Sequence, residues 1–164
     1  MVAVPLRSDW SKATCPIARC LDVVGDPWVL LILREAFLGR TRYEEFRDQL
    51  SIADNVLSRR LQSMVENGLL RKEPYRADQR THDEYRLTRA GADLLPVLQA
   101  LATWGSAHTE VPPHGGRTRA IHLPCGRPTG SSDRCVHCDV PLRSEDVAWS
   151  RPWMSERPIP LAGP

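Results

Sequence analysis

The distribution of prolines divides this chain into two parts that must fold differently. Nine of its 14 prolines lie at or beyond Pro112. Proline inside a helix removes a hydrogen bond and clashes with the preceding turn, so this segment cannot form a helical bundle. Residues 1–110 instead show strong apolar periodicity. We therefore predict a folded domain over residues 1–110 and a Pro-rich tail over residues 111–164.

Residues 1–110 contain a recognisable order of helix and strand signals. Apolar spacing and breakers predict helices over 15–24, 28–39, 42–50 and from 52 to a stop at Gly68. Two strands, 69–75 and 84–88, flank a polar turn over 76–83, and Thr88 caps a long helix over 89–108. Two short helices that meet at "SIAD" and precede a two-stranded wing predict a winged helix-turn-helix, mainly α with a small β-wing (α+β).

The fourth helix carries a polar face that suits base edges in the DNA major groove. Arginine pairs with guanine, asparagine and glutamine pair with adenine, and serine lets the helix backbone approach closely. Spacings of three and four residues place these side chains opposite Leu57 and Leu61. Arg60 flanks this face, within reach of a phosphate. The predicted base-reading residues are Asn55, Ser58, Arg59 and Gln62.

The wing adds positive charge beside that helix. Arg76, Arg80 and His82 lie near its tip and are predicted to contact the minor groove or the DNA backbone. Asp54 would repel phosphate, so we expect it to cap the helix instead. The alternative is an ordinary solvated helix face, and the basic wing favours DNA over that alternative.

Three stretches resemble the HxlR-type winged-helix regulators of bacteria. They are "CPIARCLDVVGDPWVLLILREAFLGRTRYEEF", "LSRRLQSMVENGLLRKEPY" and "EYRLTRAGADLLPVLQALATW", and they extend from about Cys15 to Trp104. The resemblance implies a homodimeric repressor or activator, with the first helix and the long last helix forming the dimer interface. A two-fold dimer would bind a palindromic double-stranded DNA operator, with half-sites about one helical turn apart.

The resemblance also draws attention to Cys15, because some members of the family use a cysteine at this position as an oxidant sensor. The N-terminus of a helix favours the thiolate form of a cysteine, and Arg19 follows one turn later. A bridge between the Cys15 residues of two subunits is the expected oxidised form, because a helical link to Cys20 would be strained. The alternative is that Cys15 is a buried residue of the first helix.

The tail contains a candidate zinc-ribbon-like centre within about residues 122–142. Cys125, Cys135 and Cys138 supply three soft ligands, and His122 is a better fourth ligand than His137, which lies inside the short Cys-x-x-Cys loop. A metal would explain how a Pro-rich segment with few apolar residues folds. A redox pair and free thiols are the alternatives.

The last residues, "AWSRPWMSERPIPLAGP", are expected to be mobile, with Trp149 and Trp153 packing on the dimer or on the ribbon.

Composition and motifs exclude several other classes. No apolar run reaches the length that spans a bilayer, and the N-terminus lacks the apolar core of a signal peptide, so we expect a cytoplasmic protein. "CVHC" resembles a thiol-disulfide oxidoreductase motif but lacks its βαβ setting, and we expect no catalysis. We predict a transcriptional regulator that responds to a ligand or to oxidation. A winged-helix module that binds proteins instead of DNA stays open.

Overall fold

The computed structural model describes residues 9–77 and 80–164, and of Ala77 and Arg80 only the backbone. Within this part, no helix is both long and apolar enough to span a bilayer. The helices are α1 (Pro16–Val24), α2 (Pro27–Phe37), α3 (Tyr43–Leu50), α4 (Asp54–Glu66), α5 (Arg89–Ala92) and α6 (Leu95–His108). The strands are β1 (Leu70–Ala77), β2 (Arg80–Leu87), β3 (Arg119–His122), β4 (Arg127–Thr129), β5 (Arg134–Cys135), β6 (Val140–Pro141), β7 (Val147–Ser150) and β8 (Ile159–Pro160).

Helix α2 is the central element of the first part, as its apolar sequence predicts. The Asp26 carboxylate accepts a hydrogen bond from the Trp28 N–H at 2.9 Å and caps the helix, whose first residue is Pro27. Ile32, Leu33 and Phe37 are fully buried. The helix ends before Gly39, whose φ of +86° is a backbone conformation that favours glycine.

Helices α3 and α4 form the helix-turn-helix. The turn between them passes through Ser51 in the left-handed region (φ 48°) and buries Ile52. The prediction that Asp54 caps α4 was wrong, because the cap position is held by Ala53 and Asp54 is the first helical residue. The Tyr43 hydroxyl lies 2.9 Å from the Asp54 carbonyl oxygen and 3.2 Å from its carboxylate. This contact ties the start of α3 to the start of α4.

The wing strands are longer than the sequence indicates. Strands β1 and β2 pair antiparallel from Leu70–Leu87 to Ala77–Arg80, so the predicted turn over 76–83 was too long. Polar residues assigned to that turn lie within the strands. Asp83, for example, is opposite Pro74 in the register, and its carboxylate lies 2.8 Å from Lys72 Nζ. A short bridge between Arg42 and Glu84 adds the segment before α3 to the edge of this ribbon.

The single long helix predicted over 89–108 is two helices. Thr88 caps α5, as expected, by accepting a hydrogen bond from the Gly91 N–H at 3.1 Å. Pro96 has no N–H to continue the α5 hydrogen-bond ladder, so the helix stops at Ala92 and α6 begins with Pro96 in its first turn.

The tail is folded and packs on the first part, so the prediction of a mobile C-terminal segment was wrong. Strands β4, β3, β7 and β8 form a four-stranded sheet in that order, and β5 pairs with β6. The rings of Trp149 and Phe37 lie 6.1 Å apart, and the Ala162 N–H donates to the Phe37 carbonyl at 2.8 Å. Burial against α2 thus orders the segment that was expected to be mobile. The division into two domains at residue 111 stays a prediction.

Candidate nucleic-acid interface and metal centre

Helix α4 has one buried face and one exposed polar face. Leu57, Leu61 and Met64 are at most 1% exposed and anchor the helix to the core. Opposite them, the side chains of Asn55, Ser58, Arg59 and Gln62 are exposed to solvent. The structure therefore brings the four predicted base-reading residues together on one accessible surface.

The first turns of this polar face are free to bind a partner. Within the described part of the chain, the side chains of Asn55, Ser58 and Arg59 form no hydrogen bond or ion pair. The Gln62 amide, by contrast, donates to Glu66 at 2.7 Å. Unengaged donors and acceptors at the N-terminal end of a helix that follows a helix-turn are the arrangement by which recognition helices contact bases.

Arg60 was predicted to reach a phosphate, but its side chain is turned toward the protein. Its Nη2 atom lies 2.5 Å from an oxygen of Asp26, and both side chains are about three-quarters buried. Since Asp26 also caps α2, this ion pair joins the start of α2 to the middle of α4. Sequence reasoning missed the partner because 34 residues separate the two.

The wing presents fewer free cations than its composition indicates. Arg71 and Arg86 are paired with Glu73 at 2.6 and 3.1 Å, and the Lys72 pKa is raised by its hydrogen bond to Asp83. Arg76 and His82 are exposed near the tip, where the His82 ring lies 5.6 Å from Tyr75. The side chain of Arg80, also predicted to contact DNA, lies outside the described residues.

The predicted metal ligands converge in the tail. The ligand atoms of His122, Cys125, Cys135 and Cys138 all lie within 4.8 Å of one another. The Cys125 and Cys135 sulfurs are 3.8 Å apart, which is close to the spacing of about 3.8 Å that tetrahedral Zn–S bonds of about 2.3 Å impose. His137 hydrogen-bonds the Pro128 carbonyl instead.

Two turns of the same geometry hold these ligands. In the first, the Gly126 N–H donates to the His122 carbonyl at 2.8 Å, and in the second the Asp139 N–H donates to the Cys135 carbonyl at 2.8 Å. Gly126 and Asp139 both have positive φ, +67° and 54°. The repeated turn aims four donor atoms at one point, as in zinc knuckles.

The thiols of this cluster share hydrogen bonds and so differ in acidity. Burial alone would raise the pKa of Cys135, but N–H donors from His137 and Cys138 and the neighbouring thiols lower it. Hydrogen bonding to Cys125, followed by burial, raises the pKa of Cys138 to about 11. The donor set, three sulfurs and one imidazole, is one that Zn²⁺ prefers.

Two further surfaces bear on the predicted dimer and sensor. Large apolar side chains are exposed on α1 and α6, among them Ile17 (70%), Leu101 (49%) and Trp104 (61%). Cys15 is the N-cap residue of α1 and its thiol is exposed. This exposure disagrees with the alternative that Cys15 is a buried residue of the first helix. Arg19 donates to the carbonyls of Ala13 and Thr14, at 2.6 and 2.8 Å.

The helix-turn-helix, the paired wing and the exposed polar face of α4 define a winged helix-turn-helix protein of the transcription-regulator class. The HxlR-like helix-turn-helix family model matches residues 23–112, more than half of the chain. The chain belongs to this HxlR-like family, which confirms the resemblance seen in the sequence and the predicted fold class.

Known relatives agree with this assignment. The uncharacterized HTH-type transcriptional regulator Rv3095 of Mycobacterium tuberculosis is 38% identical over 80% of this chain and 82% of its own length. Among solved structures, the candidate transcription factor PA1607 is 38% identical, covers 85% of this chain and 96% of its own, and gives a TM-score of 0.67. The redox regulator HypR in its oxidized form is 30% identical, with 59% and 100% coverage and a TM-score of 0.54. These relatives are named as regulators, not enzymes.

Proposed function

We propose that this protein is a homodimeric, sequence-specific regulator that binds a palindromic operator in double-stranded DNA. The exposed, unengaged face of α4 carries the proposal, because Asn55, Ser58 and Arg59 point away from the core next to a basic wing. In this proposal α4 enters the major groove and the wing residues Arg76, Arg80 and His82 contact the backbone. Gln62 joins the base-reading set after releasing Glu66. Operator occlusion is the proposed mechanism, relieved by a ligand or by oxidation.

The test begins with selection of duplexes from a random pool by the purified full-length protein. Titration of a selected duplex should give a binding constant that falls steeply with salt, because contacts to phosphates release counterions. Arg59→Ala should weaken binding by about 1–3 kcal/mol if Arg59 contacts a base. Arg89→Ala is the matched control, since Arg89 is an exposed arginine of α5 paired with Asp93.

Two results would contradict DNA binding through this face. One is a selected duplex whose affinity is unchanged in Arg59→Ala. The other is the absence of salt-dependent binding to any duplex, together with retention of a protein partner at high salt. The second result would support the alternative of a protein-interaction module.

We also propose that His122, Cys125, Cys135 and Cys138 hold one structural Zn²⁺ per chain. The fit of the four donor atoms to a tetrahedral site supports this assignment. The metal would cross-link two knuckles that otherwise share only a small core. Elemental analysis should find about one zinc per chain, and Cys135→Ser should lose it while Cys20→Ser, outside the cluster, should not. A zinc-free protein with a folded tail would refute the site.

Cys15 is the proposed thiol sensor. Its exposure at the start of α1 supports this role, as does the similarity to a chain named as a redox regulator. Diamide should release DNA from the unmodified protein and from Cys20→Ser but not from Cys15→Ser. Release that persists in Cys15→Ser would assign the response to another thiol.

A further inference from the structure

We propose that a cavity between α2, α6 and the tail is a binding site for a small aromatic carboxylate, with Arg151 as the residue that binds the carboxylate. This site lies outside the polar face of α4 and outside the cysteine cluster. It deepens the proposed function by naming a class of ligand for the regulator; its regulatory role rests on that function, whereas binding of the small molecule does not.

The cavity has the size and the lining of a small-molecule site. Its volume is about 490 Å³, within the range of about 300–1,000 Å³ typical of ligand pockets. Leu30 and Leu98 contribute aliphatic surface from α2 and α6, and Trp149 and Trp153 contribute aromatic surface from the tail. Aromatic walls of this kind favour a flat ring in the ligand.

Arg151 supplies a buried positive charge in this lining. Its side chain stands over the Trp153 ring, with 5.2 Å from the guanidinium carbon to the ring centroid. The residue is only 7% exposed, and its Nη1 atom is buried without a hydrogen-bond partner in the described residues. Burying a charge without a partner costs free energy, because the charge loses its contacts with water. A ligand of opposite charge that pairs with such a group therefore gains binding free energy.

Among the described residues, no acidic side chain of the cavity lining forms an ion pair with Arg151. The nearby Glu35, which is not part of the lining, attracts Arg151 only at longer range. Glu35 is bonded to Arg34 through Oε1, with distances of 2.8 Å to Nε and 2.7 Å to Nη2, while its Oε2 is buried without a partner. Glu110 lines the cavity but is exposed to solvent, where its field is screened. Among the described residues no carboxylate lies within 4.0 Å of Arg151. Arg34, a second guanidinium in the lining, is already paired with Glu35, so Arg151 is the cation of the lining that lacks an acidic partner.

A carboxylate attached to an apolar ring matches both features of the cavity. Its two oxygens can accept two parallel N–H bonds from a guanidinium, and burial strengthens such charge-assisted bonds. The ring occupies the space between the tryptophans and the leucines. A neutral molecule of the same shape gains the apolar contacts but leaves Arg151 unpaired.

The test compares two probes of nearly equal shape by calorimetric titration of the full-length protein without DNA. The probes are 2-naphthoate and its neutral amide, 2-naphthamide. We expect the carboxylate to bind at least tenfold more tightly than the amide. Arg151→Gln should remove that preference, and Arg157→Gln, which deletes an exposed arginine of the same tail segment, should preserve it.

A second variant tests the cavity without changing any charge. A Cβ placed on Gly105 meets no atom within 4 Å, and Gly105 lines the cavity, so Gly105→Met should fill it without strain. We expect this variant to lose 2-naphthoate binding even if Arg151→Gln fails to fold. Equal affinities for the two probes, no measurable binding, or unchanged binding in Gly105→Met would each overturn the proposal. Because no DNA is present, a failure here is distinguishable from a failure of operator binding.

Discussion

At the scale of single residues, the main correction concerns which arginine of α4 faces outward. Arg59 and Arg60 are adjacent in the sequence, yet one is exposed and the other is paired with Asp26. Helical periodicity placed Arg60 at the flank, where solvent and a buried acid are both within reach of a long side chain. Only the fold brings Asp26, at the start of α2, to that position.

We predict that Arg60 contributes to stability through this ion pair. Removing one partner of a largely buried pair leaves the other desolvated, so Arg60→Ala should lower the free energy of unfolding by about 1–2 kcal/mol. Chemical denaturation of Arg60→Ala, Asp26→Ala and the double variant gives the coupling between them. A coupling energy near zero would show that the pair is not formed in solution.

At the scale of elements, two helical glycines differ in what surrounds them. A Cβ on Gly91 would lie 2.1 Å from the backbone oxygen of Leu69, whereas Gly105 faces open space. The Thr88 hydroxyl donates to the Gly68 carbonyl oxygen at 2.5 Å, and this bond brings the start of α5 against the start of β1. The backbone of Leu69 therefore lies close to Gly91. This close approach gives a physical reason for the glycine in the stretch Tyr85-x-Leu-Thr-x-x-Gly91.

We therefore predict opposite effects of the same substitution. Gly91→Ala should destabilise the protein by about 1–3 kcal/mol, the usual cost of overpacking against an unyielding backbone. Gly105→Ala should stabilise it by up to about 1 kcal/mol, because alanine favours the helix and meets nothing. Thermal unfolding followed by circular dichroism measures both, and equal shifts in Tm would contradict the packing described for Gly91.

The start of α3 gives a prediction about pH. Burial alone would raise the pKa of Glu45, but the N–H groups of Arg42 and Thr41, at 3.0 and 2.9 Å, lower it below the ordinary value of 4.5. Because the folded-state pKa is the lower one, this carboxylate stabilises the protein fully above about pH 4.5. The stabilisation is lost as the pH falls through the folded-state value.

Glu45→Ala should therefore cost about 1 kcal/mol at pH 7 and progressively less below pH 4. Denaturant titrations of both proteins at pH 7, 5 and 3.5 measure the difference. A difference that does not change with pH would show that the charge of Glu45 has no part in capping α3. Glu44→Ala, an exposed acid in the same turn, is the matched control.

At the scale of the whole molecule, the large apolar side chains exposed on α1 and α6 support the proposed homodimer, in which a second copy would cover them. Trp104→Glu should convert a dimer into a monomer in sedimentation experiments. Val136→Glu should not, although Val136 is equally exposed at 61% and lies in the cysteine-containing loop. A dimer that survives Trp104→Glu would exclude α6 from the interface.

The sequence predicted the first part well because its elements follow local rules. Proline starts, glycine stops and apolar periods located α1 to α4 to within about two residues and separated the polar and buried faces of α4. They also predicted the wing, although its strands proved longer than expected. The sequence also predicted the cluster of one histidine and three cysteines, because two residues separate the ligands in each of its two turns.

What the sequence could not predict depends on contacts between distant segments. The last 17 residues are held in place by contacts to Phe37, more than 100 positions away: the Trp149 ring packs near it, and the Ala162 N–H donates to its carbonyl. Arg151 lies in "WSRPW", within the segment that was expected to be mobile. Its burial beside Arg34 and Glu35 follows only from the way β7 lies against α2.

The two ends of helix α2 are attached to different parts of the molecule. At its N-terminus, Asp26 forms an ion pair with Arg60 of α4. At its C-terminus, the Phe37 carbonyl accepts a hydrogen bond from Ala162 in the C-terminal segment. The two contacts are about 16 Å apart, the length of an 11-residue helix. A rigid rod fixed in this way moves as a unit. We therefore expect a tilt at the C-terminal strands to shift α4, the proposed recognition helix, through Asp26 and Arg60 and without passing through the wing.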